Sequence, residues 1–202
     1  RLPNPTKTEH RANPIEIIEE MDIEHRALET YLRSRKISTT TARKLCKEIH
    51  YQIGGRKYFA TGLQNRSGGW ELRNRYWKGS TSPKDVSMIR NQSKKLAITE
   101  GMFDMLTLME LMPEIGNSHD LLILNTTAFV KRMISEIGEY ESVELFLDRD
   151  KTGLGMTELL LERCPKSRDL SFLYEGFKDI NEWKVKSAKD EVRQRIQDVS
   201  LS

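Results

Sequence analysis

Asp148 and Asp150 stand one residue apart at the end of the apolar run Leu145-Phe146-Leu147, inside the stretch ELFLDRDKTG. The run has the character of a buried strand, and strand residues two apart point to the same side. Two carboxylates are thereby delivered to one spot, where they repel and call for a positive partner. The neighbouring Arg149 and Lys151 fall on the other side under strict alternation. A divalent cation is the economical partner, because hard ions such as magnesium take carboxylate oxygens while retaining water. The alternative is an acidic turn that closes a strand, since Asp and Gly favour turns.

The elements around this pair form a regular series. KLAIT (95–99) reads as a strand followed by the helix MFDMLTLMELM, and LLILN (121–125) as a strand followed by AFVKRMISEIGEY. VELFLD (143–148) precedes the helical GMTELLLERC; LSFLY (170–174) reads as a fourth strand before the helices INEWKVKS and AKDEVRQRIQDVS. Four continuous apolar strands alternating with helices predict a parallel sheet covered on both faces. In such sheets ligands bind beyond the carboxyl ends of the strands. Those ends carry Glu100-Gly101 with Asp104, then Asn125-Thr126-Thr127, then Asp148 and Asp150 with Gly153, and finally Lys178, Asp179, Asn181 and Glu182. Three of the four supply carboxylates to one rim.

The first half has a different texture. Residues 1–13 are polar, with Pro3 and Pro5, and read as a linker. The apolar spacing over 14–35 predicts one or two amphipathic helices, and STTTARKLCKEI a short helix over 40–48. From Tyr51 to Trp77 the pattern alternates, with Gly54-Gly55 and Gly68-Gly69 marking the turns of a small antiparallel meander.

Charge divides the same way. Residues 1–95 hold 20 Lys and Arg against 10 Asp and Glu, and residues 96–202 hold 13 against 20. Within 30–95 the ratio is 16 to 3. A polyanion suits the first region and cations suit the second. Arg66, Arg73, Arg75, Trp77, Lys78 and Lys84 are the candidates for holding a nucleic-acid strand, since basic residues interleaved with Tyr76 and Trp77 combine backbone contacts with base stacking. Trp70 reads instead as core, and Asn74 and Ser80 to Ser82 as phosphate contacts or turns. Lys178 is a phosphate contact or simply an exposed lysine. The four histidines lack ligand spacing and read as structural. Cys46 and Cys164 have no CxxC partner, so a zinc site is not expected in this fragment, and a reducing, cytoplasmic setting is. No apolar run approaches the roughly 20 residues needed to span a bilayer.

Taken in order, ITEGMFD, LFLDRDKTG and FKDINEW resemble the TOPRIM domain shared by bacterial primases, topoisomerases and certain nucleases. The resemblance covers about residues 94–184. It implies a Rossmann-like α/β fold, a parallel four-stranded sheet with helices on both faces, preceded by a small basic α+β subdomain. It also implies that Glu100, Asp148 and Asp150 are catalytic and gather one or two Mg2+ (or Mn2+) ions, with Asp104 and Asp179 supporting a further metal position. At Asn181 the chain has an amide where bacterial replicative primases usually have an aspartate. YLRSRKIS, the β-region and YWKGSTSPKD resemble the basic subdomain that precedes TOPRIM in bacterial primases, most closely those of mobile elements.

The expected organisation is a linker and helix over 1–29, a basic subdomain over 30–95, the TOPRIM domain over 96–184 and a C-terminal helix over 185–202. The expected activity is nucleotidyl transfer that makes short RNA primers from nucleoside triphosphates on a single-stranded DNA template. A helicase or an upstream zinc-ribbon domain is the expected partner. The alternatives are a TOPRIM nuclease, which uses the same ions to direct water at a phosphodiester, and a non-catalytic nucleic-acid-binding module. A topoisomerase needs a tyrosine nucleophile on a separate domain and fits less well.

Overall fold

The computed structural model describes residues 14–200. The linker expected over 1–13 lies outside them. The chain forms two compact units, the first ending at Asp85 and the second beginning at Val86.

The first unit is a five-stranded antiparallel meander in chain order: β1 (Glu16–Met21), β2 (Lys47–Ile53), β3 (Arg56–Gln64), β4 (Trp70–Arg73) and β5 (Lys78–Ser80). Helices α1 (Arg26–Ser34) and α2 (Thr39–Leu45) lie between β1 and β2. Ile53 pairs with Arg56 across the Gly54-Gly55 turn, where both glycines have positive φ (55° and 79°), the conformation a two-residue hairpin requires. Alternation then puts Ile49, Tyr51, Ile53, Tyr58, Ala60 and Leu72 into one apolar layer with Trp70. On β2 the buried Glu48 accepts backbone hydrogen bonds from Glu24 (3.0 Å) and His25 (2.8 Å), which ties the turn into α1 to the sheet.

Two expectations need correction here. Residues 14–35 are not purely helical: Glu16–Met21 is an edge strand paired with β2. All six of its residues are exposed, so their apolar spacing carries no helical-face information. The helix expected over 40–48 ends at Leu45, because Lys47 and Glu48 are drawn into β2 pairing.

Glu71, on β4, has an ionisation consequence. Burial pushes its carboxyl up from 4.5 to about 7, with Lys78 and Lys84 pulling the other way. A raised carboxyl binds its proton more tightly folded than unfolded, so its contribution is intact below about 4.5 and is lost as pH rises through about 7. Glu71→Gln is therefore expected to melt like wild type at about pH 4.5 and above it at about pH 8. Thermal unfolding across this range checks the slope, and equal melting temperatures at the upper end would contradict it.

The second unit holds a five-stranded sheet. Strands β7 (Lys95–Thr99), β8 (Asp120–Ile123), β9 (Ser142–Phe146) and β10 (Ser167–Asp169) are mutually parallel, and β6 (Ser87–Ile89) adds an antiparallel edge. Their spatial order is β10-β9-β7-β8-β6. This is the expected parallel four-stranded α/β arrangement plus one strand. Leu96, Ile98, Leu122, Leu124, Val143, Leu145 and Leu147 face one core with α5 (Val130–Ile137) and α6 (Lys151–Arg163). The opposite side is covered by α3 (Met102–Leu111), which packs against α7 (Ile180–Lys186). Helices α4 (Ile115–Ser118) and α8 (Lys189–Ser200) complete the unit. No helix among the described residues is long and apolar enough to cross a membrane.

The stretch LSFLY is not the fourth strand. Pairing with β9 occurs earlier, at Ser167–Asp169, and Ser171–Tyr174 is a 3-10 turn. Leu170, Leu173 and Tyr174 are buried while Phe172 is 50% exposed, a helical rather than alternating pattern. Asp169 Oδ1 accepts from Ser171 N (2.8 Å) and starts that turn. The division at Asp85 and Val86, instead of between 95 and 96, follows from β6, whose pairing with β8 draws residues 86–95 into the second unit. The expected boundary at 184 falls inside α7, whose Trp183 is fully buried.

Candidate active site

Glu100 follows β7, and Asp148 follows the neighbouring β9, so both leave the sheet at the same carboxyl edge. The edge is built by backbone ties. Asn125, in the left-handed conformation (φ 61°) that asparagine tolerates, donates its N–H to the Glu100 carbonyl at 2.9 Å. The Tyr174 hydroxyl donates to the Leu147 carbonyl at 2.8 Å, fixing the chain one residue before Asp148. The Asp148 N–H donates to Glu100 Oε1 at 3.2 Å and brings the two acidic residues together.

Asp150 caps α6, its Oδ1 accepting from Thr152 N (3.0 Å) and Gly153 N (3.1 Å). These bonds hold its carboxyl below the usual range. Asp179 caps α7 in the same manner, accepting from Glu182 N at 2.6 Å. Asp104 sits in the first turn of α3 and folds back over Gly101, where a Cβ would stand 2.9 Å from its Oδ2. Gly153 has no space for a side chain: a Cβ would lie 2.0 Å from the Asp148 carbonyl oxygen and 2.6 Å from Glu100 Oε1.

Burial, then the charge of Asp148, pushes the Glu100 carboxyl up to about 7. Burial and Asp179 likewise raise Asp148. The charged forms of both are therefore disfavoured by their surroundings, and the donors are all hard carboxylate oxygens. Both features suit a divalent cation. Among the described residues, no three His, Cys, Asp or Glu side chains already stand in a coordinating arrangement.

The positive partner inferred for the aspartate pair is, in this structure, Lys178. Its ammonium lies 3.5 Å from Asp148 Oδ2 and 3.6 Å from Asp150 Oδ2. Alternation correctly removed Arg149 from this role, since its guanidinium reaches Ser171 Oγ (3.0 Å) and Glu175 (3.6 Å). The sequence puts Lys178 at this rim as a phosphate contact or an exposed lysine; its pairing with the two aspartates, from 28 positions beyond Asp150, is set by the fold. Asn181, expected at this rim, is fully buried and donates to Thr107 Oγ1 at 2.6 Å, joining α7 to α3. Its amide is a packing contact.

The basic candidates of the first unit divide by exposure. Arg75, Lys78 and Lys84 are exposed, and so is Tyr76, with the Arg75 guanidinium 5.8 Å from its ring centre. Arg66 is exposed and approaches Asp85 at 3.9 Å, while Arg73 donates to the Tyr31 hydroxyl at 3.1 Å. Trp77 belongs with the core: its ring packs 5.6 Å from Tyr51 and closely covers Gly79. The exposed stacking ring in this stretch is Tyr76. Asn74 makes a turn, its Oδ1 accepting from Tyr76 N and Trp77 N (both 3.0 Å).

Comparison with known proteins finds relatives of this fold. Residues 97–183 match the Toprim-like family model, and residues 17–82 match a Domain of unknown function (DUF8464). No curated protein sequence matches the chain. The primase fragment of the bacteriophage T7 primase-helicase protein superposes with a TM-score of 0.61 at 23% identity, over 85% of this chain and 74% of that one. A chain from a bacteriophage T7 complex, in which lagging-strand DNA polymerase interacts with primase domains bound to an RNA/DNA hybrid and dTTP, gives 0.60 at 24% identity, covering 82% and 89%. The zinc-binding and RNA polymerase domains of Aquifex aeolicus primase give 0.58 at 17% identity, covering 88% of this chain and 57% of that one. The second unit carries the match to the Toprim-like family model, and the chain shares the fold of these primase structures.

Proposed function

We propose that this chain, with its Toprim-like domain over residues 97–183, is a primase-type nucleotidyltransferase acting on single-stranded DNA with nucleoside triphosphates. The observation that carries the reading is the delivery of Glu100, Asp148 and Asp150 to one carboxyl edge by two adjacent parallel strands, with Lys178 bridging the aspartates. Glu100, Asp148 and Asp150 would hold magnesium or manganese, with Asp104 and Asp179 as outer carboxylates; the ion would supply Lewis-acid stabilisation of phosphoryl oxygens.

The chain's own residues have definable tasks. The Asp150 and Asp179 caps fix both rim carboxylates on helix ends, which limits the motion available to them. Glu100, whose carboxyl burial and the Asp148 charge push up to about 7, would ionise fully on taking a divalent ion. The exposed Arg75, Tyr76, Lys78 and Lys84 offer phosphate contacts and one stacking ring to a strand. The T7 relative's RNA/DNA hybrid and dTTP support the same ligand classes here.

Incorporation of labelled ribonucleotides on a single-stranded template tests the activity. Shortening of the template instead would assign the site to a nuclease, and binding with neither outcome would assign the chain to a binding module. Binding should also depend on salt, since cations on phosphates release counterions. Replacing Arg75, Lys78 and Lys84 with alanine is expected to weaken single-stranded DNA binding and to reduce the slope of log K against log salt by about 2 (roughly 0.7 per lost contact). An unchanged slope, read by fluorescence anisotropy, would leave the basic surface without a role.

A further inference from the structure

We propose that Lys178 is a displaceable counter-cation. It neutralises the Asp148–Asp150 pair in the metal-free protein and must leave before a divalent ion takes both carboxylates, so it sets the metal affinity of the site. The inference rests on the metal-site reading above and adds the regulation of that site.

The anchoring of Lys178 is the first support. Its N–H donates to Glu182 Oε2 at 2.8 Å, and its carbonyl accepts from Arg149 N at 2.7 Å. Arg149 lies between the two aspartates, so this second bond fixes the Lys178 backbone relative to both. The side chain beyond it is otherwise free to turn. It is 58% exposed, whereas the Asp148 side chain it covers is 14% exposed. A pinned base with a solvent-facing tip gives a cation that can swing away without disturbing the fold.

The contact distances are the second support. At 3.5 and 3.6 Å the ammonium sits beyond good hydrogen-bond length from each carboxylate. Loose, partly exposed ion pairs are individually weak. Magnesium approaches carboxylate oxygens to about 2.0–2.1 Å with twice the charge, so it outcompetes an ammonium held this way. The Arg149 guanidinium is turned to Ser171 and Glu175, and Asp179 adds negative charge beside the pair. Lysine suits the task better than arginine, because its compact ammonium on a flexible stem does not chelate a carboxylate through a planar fork.

The trade has a measurable size. Removing the competitor while leaving the carboxylates intact should tighten metal binding. Calorimetric titration of the full chain with manganese(II) chloride alone gives the affinity, and far-UV circular dichroism confirms folding of each variant. Lys178→Met is expected to bind manganese roughly three- to tenfold more tightly than wild type, the range two weak ion pairs allow. Lys178→Arg, which keeps the charge, is expected to stay at or below wild-type affinity. The gap between Lys178→Met and wild type should narrow as salt screens the lysine. If Asp148→Asn/Asp150→Asn abolishes binding but folded Lys178→Met binds no more tightly than wild type, the carboxylate site stands and the counter-cation role is overturned. If wild type and Lys178→Met both show no saturable binding, the metal-site reading itself falls, and this inference with it.

Discussion

Under the proposed primase-type function, Asp148→Asn/Asp150→Asn is expected to lower nucleotide incorporation by roughly 10³-fold while leaving the protein folded, since losing the metal proposed there would remove several kcal/mol of transition-state stabilisation. The folded state survives because asparagine caps helices about as well as aspartate, so the bonds from Thr152 and Gly153 keep an acceptor. Asp148 is partly buried next to other carboxylates, and making it neutral relieves repulsion. Lys178 loses both ion partners but remains exposed to water. Without added metal the double variant should therefore melt no lower than wild type. Incorporation assays paired with thermal unfolding separate this from a folding defect: activity lost along with the fold would not count in favour of the site.

Gly153→Ala is expected to be among the most damaging single changes in the second unit, at about 2–4 kcal/mol. The added carbon would stand 2.0 Å from the Asp148 carbonyl oxygen and 2.8 Å from its carbon, and backbone atoms cannot turn aside as a side chain can. Either α6 shifts away and strains the Asp150 cap, or the Glu100–Asp148 contact opens. Gly155, two residues on in the same helix, is an internal control, because a Cβ added there would meet nothing within 4 Å. Gly155→Ala should stabilise by roughly 0.5–1 kcal/mol through helix propensity alone. Chemical denaturation of the two variants measures the contrast. Similar stabilities would show that the close approach at Gly153 carries no energetic weight.

The sequence revealed the parallel strands and their acidic ends because both rest on local signals. The apolar runs around Ala97, Leu122 and Leu145 are buried on both sides, and such strands read as continuous hydrophobic stretches. The two-residue turn at Gly54-Gly55 was equally legible, since positive φ at both positions demands glycine. Elements stabilised by one neighbour were not. β1 is an exposed edge, β6 is three residues long, and β10 pairs through the polar Ser167-Arg168-Asp169 while the apolar stretch after it turns into a 3-10 helix. Within the site, Asp148 and Asp150 were visible from their spacing, whereas Lys178 reaches them only through tertiary folding. Asn181 looked like a rim residue because its motif lies at a strand end, but the helical turn begun by Asp179 carries its side chain inward to Thr107. Trp77 was misplaced for a related reason: aromatic residues among arginines suit a binding surface, and only the β4–β5 turn shows its ring lying on Gly79.

The central claim is that Glu100, Asp148 and Asp150 form one divalent-metal site, and magnesium linkage to folding tests it most directly. A ligand bound only by the native state raises stability by RT ln(1 + [L]/Kd), about 2.7 kcal/mol at a hundredfold excess over Kd. Melting temperatures of wild type and Asp148→Asn/Asp150→Asn would be measured with and without magnesium at about 10 mM. A shared metal site predicts a clear rise for wild type and none for the double variant. Equal shifts in the two proteins, or no shift in either, would contradict it.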